Sequence, residues 1–137
     1  MNILMMLFSE ERREVVMLAS ELIYQVLSPL FADRVAPHPI PEMFDKALTY
    51  ITYQSISNVS LVMLDGWTGH DQVRMQVNIY SSDNIQCEKD AIQVKWAMDQ
   101  QRLAGCELLD QSDGGFDAET QLYCQQIDFY IWQNACN

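Results

Sequence analysis

Six residues carry the side chains from which an enzyme or a metal site would most readily be built: His38, His70, Cys87, Cys106, Cys124 and Cys136. Neither histidine has a second histidine or a cysteine at the short spacing that holds zinc, and no two cysteines form a C-x-x-C pair. The spacing therefore predicts no metal site. A nucleophilic pair of Cys124 or Cys87 with His70 remains open, because such partners meet in space rather than in sequence.

The other motifs that could carry chemistry are weak. The "DGWTG" stretch, residues 65–69, has two glycines but lacks the Lys-Ser/Thr that completes a phosphate loop. The aspartates between 65 and 117 do not have the spacing of a calcium loop that ends in a glutamate. Cys124 lies in a strand pattern and Cys87 in a helical one, where a buried small hydrophobic residue is the simpler interpretation. We therefore predict no enzyme, no metal and no cofactor.

The composition indicates one acidic globular domain spanning 1–137. The chain has 137 residues, 49% hydrophobic and 20% charged, with a formal net charge of -11. A protein that grips nucleic acid usually presents a basic face, so this balance argues against gripping. It is compatible with a surface past which DNA slides, and equally with acidity that only keeps the protein soluble.

The N-terminal "MNILMMLF" is apolar but too short for a signal peptide or a membrane span. We predict that 1–14 form an arm or lead-in that needs cover from the core or from another subunit, and we predict no membrane partner. Without a secretory signal, the four cysteines are expected to be free thiols in a reducing cytosol.

Two segments have helical spacing. Ser9 predicts a helix start and Pro29 its end or a kink. Ser82 or Asp83 predicts the start of a second helix, which Gly105 ends. The predicted apolar face of the first helix is Val15, Ala19, Leu22, Ile23, Val26 and Leu30, and that of the second is Ile85, Ala91, Ile92, Trp96, Met98 and Leu103.

Strand patterns lie between and after the helices. They cover 34–36, 49–57, 73–80, 106–111 and 120–133. Glycine-bearing turns predict hairpin loops at 65–71 and 112–118. The apolar alternation of Leu122 and Cys124 does not match that of Ile127, which predicts a bulge near Gln125. Prolines at 37, 39 and 41 should limit the first strand to an edge.

These elements predict an α+β fold. Strands that return by tight turns pair antiparallel, and two amphipathic helices suffice to cover one face of a sheet. We expect a single, mostly antiparallel sheet of about four to five strands with two helices packed on one face.

The sequence has more apolar residues than this small core needs. Tyr130 and Trp132 stand on the polar side of the last strand, Trp67 lies at a predicted hairpin tip, and Ile56 and Val59 leave the alternation of their strand. Such a surplus is typical of an interface, which favours an oligomer. The alternative is a sheet covered on both faces within the monomer.

The segments "ELIYQVLSPLFADRVAPHPIPE", "YITYQSIS", "LDGWTG", "VRMQVNIYSSD" and "QIDFYIW", taken in this order and spacing, resemble the tail-completion or tail-terminator family of long-tailed bacteriophages. The resemblance covers roughly 21–132. Matching positions are Arg34, Val35, Pro37; Tyr50, Ile51, Tyr53, Gln54; Leu64, Asp65, Gly66; and Gln76, Val77, Ile79, Tyr80.

The resemblance implies a structural virion protein assembled in the host cytoplasm. Such a protein forms a ring, commonly a hexamer, at the head-proximal end of the tail tube, stops tube growth and provides the joint to the head connector or stopper. DNA would be a passing cargo that is not gripped. The candidate interface residues are Asp65, Gly66, Trp67, Thr68, Gly69, His70, Asp71, Arg34, Tyr130 and Trp132.

Three alternatives stay open at the level of sequence. Another neck component, a stopper or a connector adaptor, shares the ring and the location. An acidic inhibitor that mimics DNA charge would need carboxylates regularly spaced along one face, whereas here they are scattered. A small enzyme would use Cys124 or Cys87 with His70.

Overall fold

The computed structural model describes residues 17–134, so the 1–14 lead-in and the helix start predicted at Ser9 lie outside the described residues. The elements are α1 (Ala19–Leu27), β1 (Val35–Pro37), β2 (Tyr50–Met63), β3 (Gly66–Ser81), α2 (Asn84–Gln100), β4 (Cys106–Asp117) and β5 (Leu122–Asn134). The first described residue, Met17, forms an isolated antiparallel bridge with Asn134.

The strands form one five-stranded sheet in the order β1-β2-β3-β5-β4. The short β1 runs parallel to β2, and all other neighbours are antiparallel. Two hairpins, β2–β3 and β4–β5, make up most of the sheet. Their strands are antiparallel because a tight turn joins strands that run in opposite directions. The sheet and its two helices confirm the predicted α+β fold.

The core lies between the helices and one face of the sheet. Side chains alternate along a strand, so every second residue of β3 and β5 points toward the helices. Complete burial of a large apolar side chain contributes about 1.5–3 kcal/mol. The largest fully buried side chains are Phe129, Leu22, Ile23, Leu27, Ile51, Met75, Ile79, Met98, Ile127, Ile131, Val77 and Val94.

Helix α1 ends at Leu27, before Pro29, as the sequence predicts. Its first free amide, that of Ala19, donates to Gln133 Oε1 at 3.1 Å, so the end of β5 supplies the partner that a helix start requires. The predicted face is correct at Ala19, Leu22 and Ile23, which are buried, but Leu30 is exposed.

Helix α2 begins after Asp83, whose carboxylate accepts the Ile85 amide at 3.1 Å, as predicted for an N-cap. The predicted apolar face is wrong in part. Ala91 and Met98 are buried together with Cys87, Val94 and Asp90, whereas four members of the predicted face, Ile85, Ile92, Trp96 and Leu103, are exposed. The helix carries two apolar stripes, and the prediction merged them.

A buried carboxylate ties α2 to the start of β2. Asp90 accepts hydrogen bonds from the Thr49 hydroxyl and from Gln86 Nε2, the latter at 2.9 Å. A buried charge requires such partners, since water cannot solvate it. Asp90 is accordingly only 7% exposed.

The first hairpin loop is shorter than the predicted 65–71. The chain reverses at Leu64 and Asp65, and residues from Gly66 onward belong to β3. β2 accordingly extends to Met63, beyond the predicted 49–57. The glycine at 66 has a φ of 110°, a left-handed backbone conformation that glycine adopts without steric cost.

The second predicted loop, 112–118, is displaced along the chain. β4 runs to Asp117 and the turn follows it, while Gly114 and Gly115 form a bulge inside β4. The bulge lies opposite Gln125, so the prediction placed it on the wrong strand. Gly114 packs so closely on Cys124 that an added Cβ would lie 2.9 Å from Cys124 Sγ, which is why a side chain does not fit there.

Candidate interaction surfaces

The β2–β3 hairpin extends beyond the body of the sheet. We call residues 56–70 the hairpin arm. Of the β3 residues in the arm, only His70 pairs with β5, through Asn134, whereas residues 57–60 of β2 pair with residues 71–74 of β3, which lie beside β5. Residues 47–64 contain no Asp, Glu, Lys or Arg, so the arm is nearly uncharged in a chain of net charge -11. Its exposed large hydrophobic residues are Ile56, Val59, Leu61, Val62, Met63, Leu64 and Trp67.

A bulge bends the arm near its middle. Ser60 pairs with Asp71, but the next pair is Val62 with Trp67, so residues 68–70 of β3 stand opposite Leu61 alone. The Thr68 hydroxyl donates to the Leu61 carbonyl at 2.8 Å and holds the bulge closed. Extra residues on one strand bend and twist a ribbon, which re-aims the side chains beyond them.

Asp71 anchors the arm to the sheet. Its carboxylate accepts Trp67 Nε1 at 3.0 Å and Gln133 Nε2 at 3.3 Å. The pKa of Asp71 is lowered, chiefly by a hydrogen bond from Ser60, against a smaller opposing effect of desolvation. Asp71 itself is buried, so it orients Trp67 rather than offering a contact of its own.

The remaining arm candidates lie at or near its tip. Asp65 lies in the turn, Gly66 is the first residue of β3, and Trp67 remains 55% exposed although its indole nitrogen is bonded. Gly69, with a φ of 84°, is buried in the bulge, and His70 is half-buried beside it. The structure therefore brings the candidates of 65–71 together, with the exposed ones at the tip.

The other three candidates lie elsewhere. Arg34 is half-buried at the start of β1, where its Nε donates to the Thr49 carbonyl at 2.7 Å and joins β1 to β2. Trp132 is 43% exposed, and its backbone amide donates to the Gly105 carbonyl at 3.0 Å. Trp132 lies in register with Gln72 of β3 and, across it, with Val59 of the hairpin arm, whereas Arg34 precedes β1.

Tyr130 belongs to the face of the sheet opposite the helices, where it pairs with Arg74 of β3. This helix-free face is polar, and side chains on it form an ion pair and a hydrogen bond with one another. Arg74 forms a 2.6 Å ion pair with Asp128, and Gln54 donates to Gln76 at 2.9 Å. These four side chains satisfy one another, whereas Asn78 Oδ1, buried on the same face, has no hydrogen-bond partner among the described residues.

A second apolar surface, which the sequence did not predict, is a groove between α2 and β4. This α2–β4 groove has a volume of about 390 Å³ and is lined by Ile92, Lys95, Trp96, Asp99, Cys106, Leu108 and Phe129. Its walls come from the outer stripe of α2, which had been assigned to the core. The recurrence of Ile85, Ile92 and Trp96 at spacings of seven and four is the signal that could have separated the two stripes.

The structure does not assemble the proposed cysteine nucleophile. Cys124 pairs with Tyr80, whereas His70 lies ten positions along the same strand, which corresponds to roughly 33 Å. Burial raises the pKa of Cys87 to about 12 and that of Cys124 to about 11, so both are protonated thiols near neutral pH. Both side chains are buried, which confirms their interpretation as small hydrophobic residues.

Two further findings concern residues 17–134 alone. No group of three or more His, Cys, Asp or Glu side chains within that range is placed to hold a metal ion. None of the helices described is long and apolar enough to cross a membrane.

Comparison with known proteins gives a structural resemblance only. No protein-family profile matches the chain, and no curated protein is similar to it in sequence. Among solved structures, the fold resembles a chain in the virion of a native gene transfer agent (GTA) particle, with a TM-score of 0.61 and 13% sequence identity. The match covers 82% of this chain and 91% of that chain. At this identity the resemblance is one of fold.

Proposed function

We propose that this protein is a structural virion component that forms a ring at the head-proximal end of a phage tail tube. The ring terminates tube growth, provides the joint to the head connector or stopper, and lets DNA pass. The observation that carries the proposal is the hairpin arm, an uncovered apolar projection on a fold that recurs in a chain of a virion.

The arm supports an assembly role because its apolar residues have no cover within the described monomer. Val62 is 63% exposed and Met63 62%, and neighbouring arm residues extend the same surface. Contiguous exposed apolar residues of this kind mark contacts with other proteins. A hairpin held by backbone pairing and by the Asp71 anchor is stiff enough to present them.

The charge of the chain supports the passage of DNA. A net charge of -11 leaves no excess of cations to hold phosphates. On the helix-free face, Arg74 is already paired with Asp128. The proposed partners are further copies of the chain, in a ring of six, the tail tube protein and the head connector or stopper. No catalysis and no cofactor enter the proposal.

The experiment is to polymerise tail tubes with and without the protein and to image them by negative stain. A terminator gives tubes of uniform length with a ring at one end. A stopper or connector adaptor would leave tube length uncontrolled. A protein that stays monomeric and caps no tube would contradict the proposal, and competition with DNA for a basic protein would then favour the charge-mimic alternative.

A matched pair of variants makes the same assay specific for the arm. Trp67→Ala removes an exposed aromatic side chain from the arm, and Met43→Ala removes an exposed side chain from the β1–β2 connection. We expect Trp67→Ala to reduce capping and Met43→Ala to leave it unchanged. Equal effects of the two would contradict the assignment of the arm as the contact surface.

A further inference from the structure

We propose that the tip of the hairpin arm of one copy docks in the α2–β4 groove of a second copy. The inference rests on the proposed ring and names the contact that closes it. The occupant of the groove is thus another molecule of this same chain.

The α2–β4 groove has the shape and chemistry of a binding site for apolar side chains. Ile92, Trp96 and Leu108 line it and remain about half exposed, which is a large apolar area to leave in water. Its volume of about 390 Å³ lies within the range of cavities that enclose a ligand.

The tip of the hairpin arm complements the groove in shape and in apolar character. Leu64 is fully exposed at the turn, and Val62 and Met63 precede it on β2. These three side chains project from a two-stranded ribbon, which is narrow enough to enter a groove. Apolar anchors that fill a pocket on a partner dominate the energy of most interfaces.

The distribution of charge also favours this contact between copies. Copies that each carry a net charge of -11 repel one another, so self-contact is favoured where acidic groups are fewest. Asp65 is the only charged residue between 47 and 70 apart from the titratable His70. The groove is lined by one cation, Lys95, and one acid, Asp99, and the Lys95 ammonium, which donates to Gln111 Oε1 at 2.6 Å, has further N–H donors for Asp65 of the incoming tip.

The placement of the two surfaces predicts a ring rather than a closed pair. The groove lies beside β4, at the edge of the sheet order away from β1, whereas the arm continues β2 and β3. A contact between two different patches repeats from copy to copy, and it gives a ring where the rotation closes, as the proposed function requires.

The test is a pair of cysteines across the proposed contact, Leu64→Cys in one preparation and Ile92→Cys in another, both carrying Cys106→Ala and Cys136→Ser. Mixed and oxidised, they should form a disulfide-linked dimer at least about a hundred-fold faster than a control pair, because contact raises the effective thiol concentration into the millimolar range. The control replaces Ile92→Cys by Met43→Cys, which is exposed but distant from the groove in the chain.

Each outcome separates the inference from the proposed function. A fast Leu64–Ile92 link on protein that caps tubes supports both. Tube capping without that link, or a fast link between two Leu64→Cys chains, overturns the docking inference and leaves the ring. Capping that Trp96→Glu abolishes while the ring persists would assign the groove to the tube protein instead. A protein with neither link nor capping contradicts both proposals.

Discussion

The two ends of the β2–β3 hairpin are built from similar residues and have opposite surroundings. At the body end, Ile51, Val77 and Ile79 are completely buried beneath the helices. At the arm end, Ile56, Val59 and Val62 stand in solvent on the same pair of strands. Apolar β-branched residues favour strands at both ends, but only the body end gains energy from folding of the monomer. The arm residues have no such cover within residues 17–134, and the proposed assembly contact would supply it.

Replacing an isoleucine by alanine at each end of the hairpin tests this difference most directly. Ile79→Ala should destabilise the protein by about 2–5 kcal/mol, because it leaves a cavity in a fully packed core. Ile56→Ala, at an exposed arm position, should change the free energy of unfolding by no more than about 0.5 kcal/mol. Urea denaturation measures both, and a large loss at Ile56 would place the arm in the monomer core.

The hydrogen bonds of Asp90 provide a second test of the body end. Asp90→Ala should destabilise the protein by about 1–3 kcal/mol, because the Thr49 hydroxyl and the Gln86 amide lose their buried acceptor. The exposed Asp99 on the same helix provides the control, and Asp99→Ala should lie within about 0.5 kcal/mol of the parent. Thermal unfolding that ranks the two variants equally would contradict the structural role of Asp90.

As the pH falls, the contacts of Asp71 that hold the hairpin arm should weaken before the apolar body is destabilised. The pKa of Asp71 is lowered in the folded protein from an ordinary value of 3.8, so its contribution is complete above that value and is lost as pH falls through the lower folded pKa. The indole proton resonance of Trp67, whose nitrogen donates to Asp71, reports this step by NMR. We expect its midpoint below 3.8 and its absence in Asp71→Asn. A midpoint above 3.8 would contradict the anchor.

The effect on stability is also expected to be small at the arm tip. Trp67→Ala removes an exposed ring and one hydrogen bond to Asp71, so the free energy of unfolding should fall by about 1 kcal/mol or less. Joining of tails to heads should fall much further, because the proposed function puts the Trp67 side chain in the contact surface. Unfolding of the monomer by Trp67→Ala would instead make Trp67 a core residue.

The sequence predicted the fold class because local signals and tertiary structure agree over most of the chain. Asp83 caps α2 and Pro29 follows α1, and the alternation of 73–80 survives in β3. Periodicity failed at α2, where two apolar stripes share one helix and only packing decides which is buried. Glycine signals failed at Gly114 and Gly115, because a bulge and a turn require the same backbone freedom.

The candidate surface was predictable only in part for a related reason. The alternation that breaks at Ile56 and Val59 marked the arm, and Trp67 marked its tip. The α2–β4 groove had no such signal, since its residues come from separate elements and their exposure depends on how the helix is rotated over the sheet. Arg34 was a candidate by resemblance alone, and the structure binds it to the Thr49 carbonyl.

The most direct measurement is hydrogen–deuterium exchange of the protein alone and of the protein bound to tail tubes. Backbone amides of the hairpin arm, 56–70, should exchange more slowly in the assembly, because burial suppresses local opening of an exposed ribbon. Amides of 73–80, already beneath the helices, should show no change and serve as the internal control. Unchanged exchange across 56–70 on capped tubes would contradict the claim that the arm is the assembly surface.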